Sequence, residues 1–340
     1  MSIHEIAKRA GVSIATVSNA LNNKKKVSHK TRERIMRLAE ELNYVPNSLA
    51  QGLLAKKTNI VGLIVPDLSV PYTLSIIRHL EFYARENSLF ILLGHTDGQF
   101  DTLWSIVDNF INKNVDAIIL ATGLEGAQEE SMAKVIARIQ KFNVPMVIMS
   151  PLRSLHQHRT NYVIPDLEEG SLQITRYLME QNLRSVVYFG GNPSEYLTEV
   201  RHLGFTKALE GSRHPVSPDM FYYCGYTFQN GYQAIVRYLD EGQELPQAIV
   251  AINDMVAFGI LRGLRERGIR VPEDVSLVGY DDIELQVLDF LPLTTVQIPV
   301  DEMCKLCIDG IMKCREGNNL TFQYSLKPNI VIRDSVKTRS

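Results

Sequence analysis

Thr16, Ser18 and Asn19 are closely spaced polar residues in the segment AGVSIATVSNALN, residues 10–22. An asparagine amide can form two hydrogen bonds with adenine N6 and N7, and a hydroxyl can bond a base or a phosphate. Small neighbouring residues allow a backbone to approach closely. This segment therefore predicts a surface that contacts a nucleic-acid groove. Its candidate base-contacting residues are Ile14, Ala15, Thr16, Ser18 and Asn19.

The first 45 residues have the pattern of three short helices that would position this segment. Ser13 and Ser28 are each placed to cap a following helix, and Gly11 suits a tight turn between the first two helices. Such a helix-turn-helix places its second helix in the major groove. Neighbouring lysines would hold phosphates and give salt-dependent affinity with little sequence choice. These lysines are Lys24, Lys25, Lys26 and Lys30.

The charge distribution supports a polyanionic partner for the N-terminal part alone. Residues 1–60 contain 11 Lys and Arg and 4 Glu, a net of +7, whereas the whole chain carries −2, so the remainder carries −9. A solvated charged face is the alternative interpretation. The apolar runs are too short to span a membrane, and the first residues lack a signal-peptide pattern, so we expect a cytoplasmic protein.

Several other chemistries find little support in the sequence. Cys304, Cys307 and Cys314 have helical spacing and no further pair to complete a zinc site, so we interpret them as core residues in a reducing compartment. No G-x-G-x-x-G, G-x-x-x-x-G-K-[ST] or G-x-S-x-G motif is present. Asp281 and Asp282 could form an acid pair, but strand neighbours point to opposite faces. We therefore predict neither an enzyme, a cofactor nor a metal site.

From Ile60 onward, short β-branched runs alternate with amphipathic helices. This alternation predicts parallel βαβ units in doubly wound sheets, and the number of runs favours two lobes. The predicted fold is α/β, with a three-helix head and two lobes. The predicted strands are 60–65, 89–93, 115–120, 144–149, 186–190, 247–251 and 275–279.

Three motifs give the chain a specific family resemblance: AGVS-x-x-TVS-x-x-LN, VS-x-x-TR-x-R and LNYVPN-x-x-A-x-x-L. With them the chain resembles the LacI–GalR family of bacterial repressors, along its whole length. The resemblance implies a DNA-binding head at 1–45, a hinge at 46–58 and a core at 59–340 with lobes of periplasmic-binding-protein type. It implies an N-lobe of about 60–158 and 291–319, and a C-lobe of about 159–290 and 320–338.

In this family the hinge helix forms on operator DNA, where a leucine wedges into the minor groove. By position the hinge residues are Asn47, Ala50 and Leu53. Asn19 stands where many relatives have arginine, so the operator is expected to differ from the common half-site. Gly52 would cost the hinge helix about 1 kcal/mol relative to alanine, so its folding should depend more on DNA.

The resemblance also implies a small-molecule effector in the cleft between the lobes. Arg201 matches the cleft arginine of the family, and Asp281 matches an acceptor at a strand end. A structural ion pair between the two lobes, or packing of the tyrosines, is the alternative. The implied effector residues are Tyr72, Ser150, Arg201, Tyr226, Asn253, Asp254 and Asp281.

Ser150 departs from the lactose-repressor branch, which has an aspartate there, and nearby segments look more like the maltose-regulon repressor branch. The implied protein is a homodimeric repressor on a near-palindromic operator, controlled by a small molecule that we expect to be a sugar, with either release or corepression open. A periplasmic-type sugar-binding protein without DNA function is the alternative. Residues 1–58 and the missing signal sequence argue against it.

Overall fold

The computed structural model describes residues 3–21, 27–44, 57–121, 129–153, 155, 160–283, 292–316 and 321–338. The chain divides between Thr58 and Asn59 into a small unit, here called the head, and a large unit, here called the core. Within the described ranges, no helix is long and apolar enough to cross a membrane.

The head consists of three helices around a small apolar centre. They are α1 (Ile3–Ala10), α2 (Ile14–Leu21) and α3 (His29–Glu41). The hydroxyls of Ser13 and Ser28 accept the backbone N–H groups of Thr16 and Thr31 at 3.1 and 3.4 Å, so both predicted caps are present. Gly11 has a φ of 62°, a conformation that glycine adopts without steric cost. The buried centre includes Ile6, Val17 and Ile35.

The core alternates strands and helices, as predicted. Its first part contains β1 (Ile60–Val65), α4 (Pro71–Glu86), β2 (Phe90–His95), α5 (Phe100–Asn112), β3 (Ala117–Leu120), α6 (Glu129–Lys141), β4 (Met146–Ile148) and β5 (Asn161–Pro165). Its second part contains α7 (Leu167–Glu180), β6 (Val186–Gly190), α8 (Tyr196–Gly211), β7 (Phe221–Tyr223), α9 (Phe228–Asp240), β8 (Ala248–Ala251), α10 (Asp254–Glu266) and β9 (Ser276–Val278). The last elements are β10 (Thr295–Gln297), α11 (Val300–Arg315), β11 (Gln323–Leu326) and β12 (Asn329–Val331).

The first lobe is built on a six-stranded parallel sheet in the order β11-β5-β4-β3-β1-β2 over the described residues. Strand β1 is buried on both faces: Leu63 faces one apolar cluster and Ile64 faces another. Both faces of a parallel sheet need such cover, which explains the continuous apolar run IVGLIV. Helix α11 packs against α4 in this lobe.

The second lobe has a four-stranded parallel sheet in the order β7-β6-β8-β9 over the same ranges. Helix α7 packs on α8, and α9 packs on α10. Glycines allow these close approaches. A Cβ at Gly204 would lie 2.2 Å from the Glu168 carbonyl oxygen, and one at Gly259 would lie 2.0 Å from the Phe228 carbonyl oxygen.

The chain passes between the two sheets three times, after β5, after β9 and after β11. Strands β10 and β12, on two of these passages, pair antiparallel. The observed sheets differ from two of the approximate lobe boundaries. The ranges expected for the C-lobe, from about 159 and from about 320, include β5 and β11, but these strands pair with each other and β5 pairs with β4, so both belong to the first sheet.

Two of the three closely spaced cysteines lie in the core, as their helical spacing predicted. Cys304 and Cys307 are fully buried on α11, whereas Cys314 is only partly buried, and none of these three cysteines forms a disulfide. Burial raises the pKa of each of these thiols. Side chains that contact apolar atoms in this way are packing residues rather than reactive groups.

The glycine contact between α9 and α10 gives a stability prediction. We expect Gly259→Ala to lower the free energy of unfolding by about 1–3 kcal/mol, because the added Cβ meets backbone that cannot move aside. The control is Gly211→Ala at the end of α8, where a Cβ meets nothing within 4 Å. It should be neutral or stabilising by up to about 1 kcal/mol. Equal results in urea unfolding of the two variants would contradict this account.

Candidate functional site

Arg201 is a buried cation at the centre of the second lobe. It lies on α8 and is 4% exposed. Its Nη2 donates to Asp281 Oδ1 at 3.1 Å, its Nη1 donates to the Ile252 carbonyl oxygen, and its guanidinium carbon lies 3.7 Å from the Tyr280 ring centroid. An ion pair, a carbonyl and an aromatic face together offset the cost of removing this charge from water.

Asp281 stands in unusual backbone geometry. Strand β9 ends at Val278, and Asp281 and Asp282 follow with φ values of 111° and 56°. Positive φ in non-glycine residues is costly and often occurs at functional sites. The two carboxylates pair with different arginines. Asp282 accepts from Arg333 Nη2 at 2.6 Å, whereas Asp281 accepts from Arg201. The two aspartates therefore do not form an acid pair.

Asn253 connects the end of β8 to the start of α10. Its Oδ1 accepts the Val256 N–H at 2.8 Å and thereby caps the helix, while its Nδ2 donates to the Tyr226 carbonyl at 3.0 Å. The sequence pattern of an asparagine before a helical run signals this capping. Asn253 thus positions the segment that carries Tyr226.

The buried carboxyl group of Asp254 links the second lobe to β10, on the chain segment that returns to the first lobe. Thr295 Oγ1 donates to its Oδ1 at 2.6 Å, and the Ile283 N–H donates to its Oδ2 at 2.8 Å. Burial raises the pKa of Asp254 to about 8, and the nearby Asp281 raises it as well. Burial also raises the pKa of Asp281 to about 6, against the opposing effect of Arg201.

Tyr226 belongs to the second lobe, and its side chain is hydrogen-bonded and packed within that lobe. Its hydroxyl hydrogen-bonds with Thr198 Oγ1 at 2.7 Å and with Glu195. The ring packs over Gly191, where a Cβ would lie 2.3 Å from the ring carbon Cζ. Sequence reasoning missed Glu195 and Gly191; the glycine next to a strand end was the available signal.

Tyr72 and Ser150 belong to the first lobe. Tyr72 is partly buried near the start of α4, and burial followed by Asp281 raises the pKa of its hydroxyl. Ser150 is partly buried just after β4.

A bridge between the lobes was missed by the sequence analysis. Arg153 follows β4 in the first lobe, and its Nη1 donates to Oε1 of Glu199 on α8 at 2.9 Å, with a second contact from Nη2 to Oε2. The guanidinium carbon lies 5.1 Å from the Tyr196 ring centroid. Both charged side chains are about half exposed, so this bidentate pair contributes little to stability but joins the two lobes.

The head presents the predicted base-contacting residues on α2. Ile14 and Ala15 are exposed, and Thr16, Ser18 and Asn19 are partly exposed, whereas Val17 and Ala20 are buried. Helical periodicity thus separates the buried face of α2 from the face that is exposed or partly exposed to solvent. Lys30, at the start of α3, is exposed. The other predicted phosphate-contacting residues, Lys24, Lys25 and Lys26, and the hinge residues Asn47, Ala50 and Leu53 lie outside the described residues.

Two family models match the chain. Residues 2–47 match the bacterial regulatory proteins of the lacI family, and residues 175–336 match a periplasmic binding protein-like domain. The HTH-type transcriptional regulator DegA of Bacillus subtilis (strain 168) is 32% identical over 335 residues, covering 98% of this chain and 97% of DegA.

The chain belongs to the lacI family of bacterial regulatory proteins.

Solved structures agree with this assignment. The lac repressor dimer bound to operator and the anti-inducer ONPF has a TM-score of 0.87 at 25% identity and covers 98% of each chain. The complex of the transcriptional regulator CelR with cellobiose has a TM-score of 0.73 at 24% identity, covers 98% of this chain and 99% of its own, and shows the shared fold. The relatives are transcriptional regulators, which fits the expectation of a non-enzyme.

Within the described residues, no group of three or more His, Cys, Asp or Glu side chains could hold a metal ion.

The raised pKa of Asp254 gives a pH prediction for this lacI-family protein. The folded state holds a proton that the unfolded state releases near pH 4, so the contribution of this carboxyl to stability is fully present below about pH 4 and is lost as the pH rises to about 8. We expect the Tm of Asp254→Asn to fall less than the wild-type Tm between about pH 5 and pH 8. A shift in Tm that is the same at every pH does not affect this comparison.

The matched control is Asp274→Asn. The exposed Asp274 is paired with Arg270, whose hydrogen bonds hold its pKa at about 2, so it does not titrate in this range and its variant should keep the wild-type slope. An Asp254→Asn variant with the wild-type slope would show that this carboxyl does not carry the extra proton.

Proposed function

We propose that this lacI-family chain is a transcriptional repressor that binds a near-palindromic operator as a homodimer, under the control of a small sugar bound between its lobes. One observation carries the proposal: a helix-turn-helix head with a partly exposed polar face on α2 occurs in one chain with a two-lobed core that has a charged, buried pair at its strand ends. Ligands of open parallel sheets bind at such strand ends.

DNA binding by the head is supported by its surface and its charge. The partly exposed polar face of α2 offers Asn19 for base contact, and it also carries Thr16 and Ser18. Lys30 is exposed where α3 begins. The similarity to a lac repressor dimer bound to operator over 98% of each chain gives independent support.

A homodimer is supported by an exposed apolar surface on the first lobe. Strand β2 is at the sheet edge over the described residues, and α4 packs beside it. Phe90 on β2 is 72% exposed. Large apolar side chains exposed on an edge strand and on the helix beside it are typical of a protein interface. The surface comprises Leu74, Phe82, Phe90 and Leu93.

A sugar effector is supported by the chemistry of the buried pair. Arg201 supplies donors and Asp281 supplies an acceptor, a combination suited to sugar hydroxyls. Tyr72 and Ser150 would contribute from the first lobe, and Tyr226 from the second. Asn253 and Asp254 would act mainly by holding the segments that carry these groups, because their side chains are already bonded within the protein. The known complex of CelR with cellobiose has the same fold.

Control by the effector would work through a difference in affinity. A ligand that prefers one arrangement of the lobes shifts the population toward it, and this shift is linked reciprocally to operator affinity. Release from the operator on sugar binding is the direction we propose.

Selection of duplex DNA from a random library with the full chain tests the DNA-binding function. We expect an inverted repeat, because the twofold symmetry of the protein is mirrored in its site. Asn19→Ala should change the preferred base at one position of each half-site, with a loss of discrimination of about 1–3 kcal/mol. Lys30→Ala should weaken all duplexes alike and reduce the slope of log affinity against log salt by about 0.9 per site.

The control is Lys134→Ala, which removes an exposed lysine from α6 of the core. It should leave both sequence preference and salt slope unchanged. If the full chain enriches no repeat and binds random duplex without preference, the proposed operator function is wrong.

A further inference from the structure

Tyr188 is a buried tyrosine that the proposed function has not used. It lies on β6 and is 1% exposed. Its ring is held by Phe205, Phe221 and His202, at centroid distances of 5.2, 6.2 and 6.3 Å. Ring carbon Cε1 lies 2.8 Å from where a Cβ of Gly190 would stand, so the ring extends along the strand toward its carboxyl end. That end of the sheet carries the Arg201–Asp281 pair.

The hydroxyl of Tyr188 has no hydrogen-bond partner among the described residues, although it is buried. Nε of Arg201 is also buried and also has no hydrogen-bond partner among the described residues. The ring of His202, the residue next to Arg201 on α8, lies 6.3 Å from the Tyr188 ring, which brings Tyr188 close to Arg201. Burial raises the pKa of the Tyr188 hydroxyl, while the charge of Arg201 lowers it. Buried polar groups are almost always bonded, and two exceptions beside one charged pair need an explanation.

Other buried tyrosines of the core show what is missing. The hydroxyl of Tyr238 donates to the Glu244 carbonyl at 2.8 Å, and the hydroxyl of Tyr280 donates to the Leu167 carbonyl at 3.2 Å. Both satisfy their polar atom within the protein. A phenylalanine would fill the aromatic cluster around Tyr188 equally well, so packing does not account for its hydroxyl.

We propose that Tyr188 is an effector-binding residue, and that its hydroxyl and Nε of Arg201 together bind one hydroxyl oxygen of a neutral sugar. This inference rests on the proposed function of the cleft. The sugar oxygen would accept from both groups, and the same hydroxyl or its neighbour would donate to the Asp281 carboxylate. Two donors beside one acceptor match a hydroxyl, which both accepts and donates.

The charge of Asp281 selects against anionic effectors at this position. A phosphate or carboxylate group would bring a second negative charge to a carboxylate that already accepts from Arg201. Access to the two unpartnered atoms requires the lobes to part, because both atoms are buried and the Arg153–Glu199 bridge joins the lobes. Sugar binding would therefore be coupled to lobe arrangement.

Titration calorimetry and thermal unfolding of the full-length protein test the proposal with ribose, maltose, cellobiose and glucose 6-phosphate as probes. For any neutral sugar that binds the wild type, we expect Tyr188→Phe to weaken binding about tenfold, the loss of about one hydrogen bond. Without sugar, the same variant should have an unchanged or higher Tm, because it removes a polar atom that lacks a partner.

The matched control is Tyr238→Phe, which also removes one hydroxyl from a buried tyrosine of the second lobe. It should lower Tm without sugar, because the Glu244 carbonyl loses its donor, and it should leave sugar affinity unchanged. Tyr188→Phe should therefore weaken sugar binding without lowering Tm, whereas Tyr238→Phe should lower Tm without weakening sugar binding.

The outcomes separate the inference from the proposed function. A neutral sugar that binds the wild type and Tyr188→Phe equally well overturns the role of Tyr188 and leaves the cleft function standing. A fall in Tm for Tyr188→Phe as large as for Tyr238→Phe also overturns it, because the hydroxyl is then already bonded. Binding of glucose 6-phosphate alone refutes the neutral hydroxyl. Binding of no probe by the wild type refutes this inference and the sugar effector of the proposed function, and it leaves operator binding to the duplex selection.

Discussion

The burial of the Arg201 guanidinium is the constraint on which the second lobe depends. A cation that is 4% exposed is stable only if its partners are held in place. Asp281, the Ile252 carbonyl and the Tyr280 ring must therefore converge from the ends of two neighbouring strands, β8 and β9. Asp281 reaches its position at the cost of a positive φ. A ligand that enters beside Asp281 would therefore meet an acceptor that has strained backbone geometry and is already bonded to the buried Arg201.

This buried pair is also tied to the passages between the lobes. Asp282, adjacent to Asp281, accepts from Gln297 on β10 and from Arg333 just after β12, and Asp254 accepts from Thr295 on β10. Strands β10 and β12 pair with each other where the chain returns from one sheet to the other. A ligand that alters the geometry at Asp281 therefore acts on the segments that set the lobe arrangement. This continuity gives the proposed control a physical route.

Much of this architecture follows from the sequence, but only where the signal is strong. Strands such as β1 are buried on both faces and appear as continuous apolar runs, whereas β11 is short and largely exposed and carries no such pattern. Its assignment to the wrong lobe followed from this. Arg201 and Asp281 are 80 positions apart, so family resemblance rather than spacing suggested them. Tyr188 could not be distinguished from a core residue, because only the structure shows that its hydroxyl lacks a partner.

The central claim is that one molecule couples a sugar at the buried pair to DNA at the head. The most direct measurement is the affinity of the full chain for its selected duplex with and without a saturating sugar that binds the core, together with the sugar affinity with and without duplex. The account predicts that the two affinities change by the same factor, in the range of about 5- to 150-fold. A sugar that binds the core and leaves duplex affinity unchanged would contradict it.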